Sequence, residues 1–159
     1  MSVPSVSLFW SYLAIVAIVA ILGNFIMGNL RDQWYQNLNK PNFQPPPWVF
    51  TLMWTLIYLS LAYVVYRANT LAITEEKRTL INIVFAINLI LTLAWSYFFS
   101  RQHNLRMGLI IIILLIISVV TLMAIIYPLD HSLPLWLSLY LVWLFIALYL
   151  NWQYIQLNP

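Results

Sequence analysis

Apolar residues run along this chain in five long stretches, and charge appears only between them. The uncharged stretches are 1–30, 41–66, 79–100, 107–129 and 131–159, with lengths of 30, 26, 22, 23 and 29 residues. A helix needs about 20 mostly apolar residues to cross a ~30 Å hydrocarbon core. Closed barrels are the other way to span a bilayer, but their strands alternate apolar and polar residues. The run from Gly108 to Tyr127, GLIIIILLIISVVTLMAIIY, shows no alternation. The pattern therefore predicts an all-α membrane protein, a five-helix transmembrane bundle forming a single domain over 1–159. The expected spans are about 7–27, 47–66, 80–100, 107–127 and 133–155, with a long structured loop over 28–46.

Local signals support this division. Loop 1 holds Trp34 and Tyr35, then KPNFQPPPW from Lys40 to Trp48. Proline fixes φ, lacks an N–H and restricts the residue before it, so this segment should be stiff rather than a tether. Pro47 suits the first turn of span two, where a missing N–H costs nothing. Thr74 is the expected N-cap ahead of span three. Nothing before Arg31 is charged apart from the terminal amine, so the first span reads as a retained helix and not as a signal peptide.

Charge and composition narrow the function. Eleven residues carry formal charge, the net charge is +3 and cysteine is absent. So small and scattered a positive charge gives no footprint for nucleic acid. Without cysteine there is no thiolate metal site, redox switch or cysteine nucleophile. The four acids, Asp32, Glu75, Glu76 and Asp130, all fall between spans. Ion pumps need ionisable groups within the bilayer, so ion pumping is not expected. His103 and His131 fall on opposite membrane faces, where they cannot share a metal, and each reads as a solvated loop histidine. No phosphate-binding loop, dinucleotide fingerprint or hydrolase elbow is present. Arg31, Lys40, Arg101 and Arg106 lie on the loop 1 side, against Arg67, Lys77 and Arg78 on the other. The positive-inside rule then leans towards a cytosolic loop 1 and C-terminus.

The chain has eight tryptophans, ten tyrosines and eight phenylalanines. An interfacial aromatic belt accounts for Trp10, Trp136 and Trp152, which lie near span ends. It does not account for Trp54 or Trp143, and only partly for Trp95. These three converge on the half of the bundle beneath loop 1. Thr51, Thr55, Asn88, Thr92, Ser96 and Asn151 lie between them. Two readings stay open: ordinary interhelical hydrogen bonds, or a pocket for a large, flat, mostly apolar ligand lidded by loop 1.

Three motifs carry a resemblance. WYQNLNKPNFQPPPWVFTLMWTLIY, from Trp34 to Tyr58, closely resembles the hallmark of the translocator protein (TspO/MBR) family, whose bacterial members are called tryptophan-rich sensory proteins. NLILTLAWSYFF, Asn88 to Phe99, and YLVWLFIALYLNW, Tyr140 to Trp152, resemble its third-helix and fifth-helix motifs. The resemblance covers nearly the whole chain. It implies a five-helix bundle that forms homodimers and binds porphyrins, haem and related tetrapyrroles, as well as synthetic isoquinoline and benzodiazepine ligands. No resident cofactor is implied.

Carried over by position, the ligand-binding residues are Trp34, Tyr35, Pro45, Trp54, Tyr58, Trp95, Ser96, Trp143 and Ala147, with Thr92 as a further polar contact. Trp143 would be the catalytic residue if the protein degraded porphyrin oxidatively. The function the resemblance points to is a membrane sensor or regulator that binds tetrapyrroles beneath loop 1; oxidative porphyrin degradation and facilitated transport are the alternatives. Some positions depart from the family pattern. Thr92 stands where relatives often have asparagine, Leu139 where they have proline and Ile146 where they have phenylalanine. The fifth-helix sterol motif is incomplete, because no Lys or Arg follows Leu150 or Tyr154. Arg31, Tyr35 and Leu38 match its reversed form.

Overall fold

The computed structural model describes residues 6–28 and 33–159. Arg31 and Asp32 lie outside the described residues, and so do their parts in the orientation count and the reversed sterol motif. Among the described residues there are six helices: α1 Val6–Met27, α2 Gln33–Asn37, α3 Pro47–Leu71, α4 Glu75–Ser100, α5 Leu105–Ile126 and α6 Leu133–Leu157. All but α2 are long and apolar enough to cross a membrane. The protein is a multi-pass membrane protein built as a five-helix bundle.

Helix α3 packs against α1 and α6, α6 against α5, α5 against α4, and α4 back against α1. The order around the ring is therefore α1, α3, α6, α5, α4.

The largest departure from the sequence pattern is at the second connection. The expected loop over 67–79 shrinks to residues 72–74, because α3 runs on to Leu71 and α4 starts at Glu75. Charge does not break a helix that projects beyond the hydrocarbon, and here it stabilises one. The Thr74 hydroxyl accepts from the Lys77 amide at 3.2 Å, Glu75 and Glu76 occupy the positive first turn, and Arg78 pairs with Glu75.

The other helix ends close in similar ways. Pro47 opens α3, and the Asn104 side chain accepts from Met107 N at 3.0 Å to cap α5. Arg101 donates to the carbonyls of Ile26 at 2.8 Å and Phe25 at 3.1 Å. The Ser100 hydroxyl also donates to the Ile26 carbonyl at 3.1 Å, so two adjacent residues satisfy carbonyls at the end of α1 and tie it to α4.

Packing divides the bundle along its axis. Towards loops 2 and 4 the interior is mostly aliphatic, with a polar cluster where Tyr12 of α1 and Asn69 of α3 both donate to Asn82 Oδ1 of α4, at 2.9 and 3.1 Å. Ile57, Leu61, Val64, Val65, Ala68, Ile81, Leu115, Leu122, Ile126, Leu133 and Leu137 are each at most 2% exposed. Towards loop 1 the interior becomes aromatic and polar.

Candidate functional site

The eight tryptophans separate into two groups. Trp10, Trp48, Trp136 and Trp152 are exposed on the outer surface, all within five residues of a helix end. They form the belts that amphipathic rings favour at the two interfaces. Trp34, Trp54 and Trp95 are half-buried, Trp143 is buried, and all four belong to the loop 1 side or the middle of the bundle.

The middle layer joins α3 to α6. Trp54 lies 5.7 Å from Tyr58 and 6.2 Å from Tyr140, ring centre to ring centre. Phe50 meets Trp143 edge-on at 5.2 Å. These edge and tilted geometries suit aromatic quadrupoles. Beneath them a polar chain crosses three helices. Tyr140 donates to Asn88 Oδ1 at 3.2 Å, Asn88 donates to Ser118 at 2.8 Å, and Ser118 donates to the Leu115 carbonyl at 2.8 Å. Each group is paired, so a polar layer survives in an apolar interior.

Thr92 and Ser96 are buried on α4. Their hydroxyls donate to the carbonyls of Asn88 and Thr92 respectively, at 2.9 and 3.3 Å. Spent as donors, they retain acceptor lone pairs. Gly23 of α1 faces Ser96, and a Cβ at the glycine would make an ordinary contact of 3.7 Å with Ser96 Oγ. Thr51 and Thr55 depart from expectation. Both are exposed, and the Thr55 hydroxyl bonds back to the Thr51 carbonyl at 2.8 Å. Both lie on the outer side of α3, although Trp54 and Tyr58 of the same helix are half-buried.

The upper layer is the lid. Because Phe50 already lies level with Trp143, α3 starts too low to cover the last turns of α6, and loop 1 packs there instead. Gln44 donates to the Tyr35 hydroxyl at 2.9 Å and accepts from the Tyr154 hydroxyl at 2.7 Å; the two hydroxyls are 3.3 Å apart. Asn39 and Asn158 clasp each other, N–H to side chain at 2.9 Å and side chain to carbonyl at 3.1 Å. Pro41 is buried, Pro45 half-buried, and Lys40 Nζ stands 5.0 Å from the Tyr35 ring centre.

Phe99 is the hub the sequence reading overlooked. Its ring lies 5.1 Å from Trp95, 5.8 Å from Trp34 and 6.3 Å from both Tyr35 and Tyr154. It therefore connects the lid to α4 and α6. His103 also departs from the reading as a merely solvated side chain: although exposed, its ring stacks on Trp34 at 4.2 Å and 9°. Phe99 lies within the third-helix motif, but nothing in its spacing separated it from its neighbour Phe98.

The ten expected site residues therefore fall in two touching layers. Trp54, Tyr58 and Trp143 form the lower one with Thr92 at its edge. Trp34, Tyr35, Pro45, Trp95 and Ser96 lie above, and half-buried Ala147 lies one turn above Trp143 on α6. A separate groove of about 500 Å³ opens on the outer face, lined by Phe43, Val142, Phe145, Ile146 and Tyr149. It shares no residue with those ten.

The model of the TspO/MBR family matches residues 11–157. The chain is 35% identical to the tryptophan-rich protein TspO of Archaeoglobus fulgidus, over 86% of this chain and 87% of that protein. It is 28% identical to the tryptophan-rich sensory protein of Cereibacter sphaeroides, over 96% and 92%. It is 32% identical to the translocator protein homolog of Schizosaccharomyces pombe, over 78% and 77%.

Proposed function

The chain belongs to the TspO/MBR family, and from that premise we propose that it binds tetrapyrroles in the loop 1 half and acts as a membrane sensor or regulator of their level. The observation that carries this reading is the division of the tryptophans. Four serve the interfaces; of the other four, Trp34 belongs to loop 1 itself, and Trp54, Trp95 and Trp143 gather beneath that hydrogen-bonded loop. A porphyrin offers a flat, apolar face several rings wide. Trp54, Trp95 and Trp143 offer indole faces, each stacking contact contributing about 0.5–1.5 kcal/mol beyond area burial. Thr92 and Ser96 offer acceptor oxygens, and Trp34, Tyr35 and Pro45 cover the entrance. Entry requires the Tyr35–Gln44–Tyr154 fastening to open. Haem, and synthetic isoquinoline or benzodiazepine ligands, share the flat apolar form and fall within the same proposal, as does assembly into a homodimer.

The test is a titration of protoporphyrin IX, in the dark, into protein held in lipid nanodiscs. The expected result is saturable quenching of tryptophan fluorescence beyond that of empty nanodiscs, with the porphyrin recovered chemically unchanged. A defined degradation product that disappears in Trp143→Phe would instead establish an enzyme. Quenching equal to lipid partition alone would remove the proposal.

A further inference from the structure

Among the described residues, two buried side-chain polar atoms have no hydrogen-bond partner: Trp95 Nε1 and Asn151 Oδ1. They are not scattered. Both converge on Gly108, where a Cβ would stand 3.6 Å from the indole nitrogen and 2.9 Å from the amide oxygen. Three helices meet at this point, α4 through Trp95, α5 through Gly108 and α6 through Asn151.

The orientation of the amide is fixed. Asn151 Nδ2 donates to the Leu105 carbonyl at 2.7 Å, and an amide oxygen cannot replace it in that bond. Asn151, only 2% exposed, therefore holds its acceptor towards Gly108. The Trp95 ring is held by its 5.1 Å stack on Phe99. Buried polar groups in native structures are almost always paired, and an unmade hydrogen bond is costly. Here one unpaired atom is a pure donor and its neighbour a pure acceptor, and the residue between them has no side chain to fill the gap.

We propose that Trp95, Gly108 and Asn151 form a binding site for a single neutral hydroxyl-type oxygen, which accepts from the indole N–H and donates to the amide oxygen. An anion lacks the proton Asn151 needs. A metal cation would be repelled by the indole N–H. Water and the hydroxyl of a bound ligand share the required chemistry. Phe99 joins Trp95 to the lid, so a hydroxylated ligand entering under loop 1 would reach this site. The site does not depend on tetrapyrrole binding, since it can hold its oxygen with or without a porphyrin.

Indole ¹H–¹⁵N spectra of the whole protein in micelles test this, with the Trp95 signal identified through Trp95→Phe. The expected Trp95 Hε1 resonance lies downfield, as for a hydrogen-bonded indole, with a cross-peak either to water or to the hydroxyl of added 1-pyrenemethanol. The first identifies a bound water and the second a ligand group; either supports the site. In Gly108→Ala a methyl group would stand 2.9 Å from the Asn151 amide oxygen, which crowds the bound oxygen out, and the resonance moves upfield. If the ligand supplies the oxygen, 1-pyrenemethanol loses about tenfold in affinity there while 1-methylpyrene does not. A Trp95 Hε1 without either cross-peak in the unsubstituted protein, upfield or downfield, overturns the proposal, and that spectrum decides alone should Gly108→Ala fail to fold.

Discussion

The two halves of the bundle solve the same problem with different materials. Both must fill the space between five helices. Towards loops 2 and 4 the filling is mainly leucine, isoleucine and valine, with Leu61, Leu122 and Leu137 at most 1% exposed and a polar cluster at Tyr12, Asn69 and Asn82. Towards loop 1 it is tryptophan, tyrosine and phenylalanine, several of them half-buried, threaded by hydrogen bonds and covered by a proline-stiffened loop in place of a helix. Branched aliphatics interdigitate into a dense, unique packing. Flat rings meet at edges and tilts, and can exchange one aromatic neighbour for another. Under the proposed function, the contrast would give stability to one half and recognition to the other.

The strongest way to break this division is to cavitate the aliphatic half. Leu61→Ala should cost about 2–5 kcal/mol of stability, read as a drop in thermal midpoint, and leave porphyrin affinity within about twofold of the parent. Tyr140→Phe attacks the boundary between the halves. It strips the donor from Asn88 Oδ1 and should cost about 1–3 kcal/mol, with little loss of affinity, because the ring facing Trp54 remains. Gln44→Leu attacks the recognition half alone. It removes both bonds that fasten Tyr35 and Tyr154, so porphyrin dissociation in stopped-flow should quicken several-fold while the thermal midpoint scarcely moves.

How much of this the chain reveals unaided differs between the halves for a physical reason. Charge islands mark where helices must leave the hydrocarbon, so the five spans were legible. The same islands misled at residues 67–79, because Arg67, Glu75 and Lys77 tolerate a helical backbone once it projects into water. Rotational phase was the harder quantity. A helix apolar on every side, as in lipid, lacks the polar stripe that reveals the facing of a soluble helix. Thr51 and Thr55 were therefore placed inward and are found outward. Depth along a helix is simple counting, so Trp54, Trp95 and Trp143 could be assigned to the loop 1 side or middle of the bundle, whereas the hub role of Phe99 depends on a loop path that no periodicity encodes.

The smallest expected effect comes from the outer edge of the stable half. Ser132 donates to Asp130 from its hydroxyl at 2.7 Å and its backbone N–H at 2.8 Å, which holds the carboxyl below its ordinary pKa. A carboxyl depressed in the folded state stabilises at pH values above its unfolded pKa, and the benefit fades as pH falls through the folded one. Asp130→Asn should therefore lower the thermal midpoint slightly at neutral pH. The difference should shrink as pH falls below the ordinary carboxylate range.

The division itself is tested most directly by one paired titration. Protoporphyrin IX is added to nanodisc-held Trp54→Ala/Trp143→Ala and, in parallel, to Leu61→Ala, each first verified as folded by circular dichroism. Porphyrin absorbance gives the affinity of both. The account predicts a loss of about tenfold or more for the tryptophan pair and less than about twofold for Leu61→Ala. Equal affinities in a folded tryptophan double variant and the parent would contradict it.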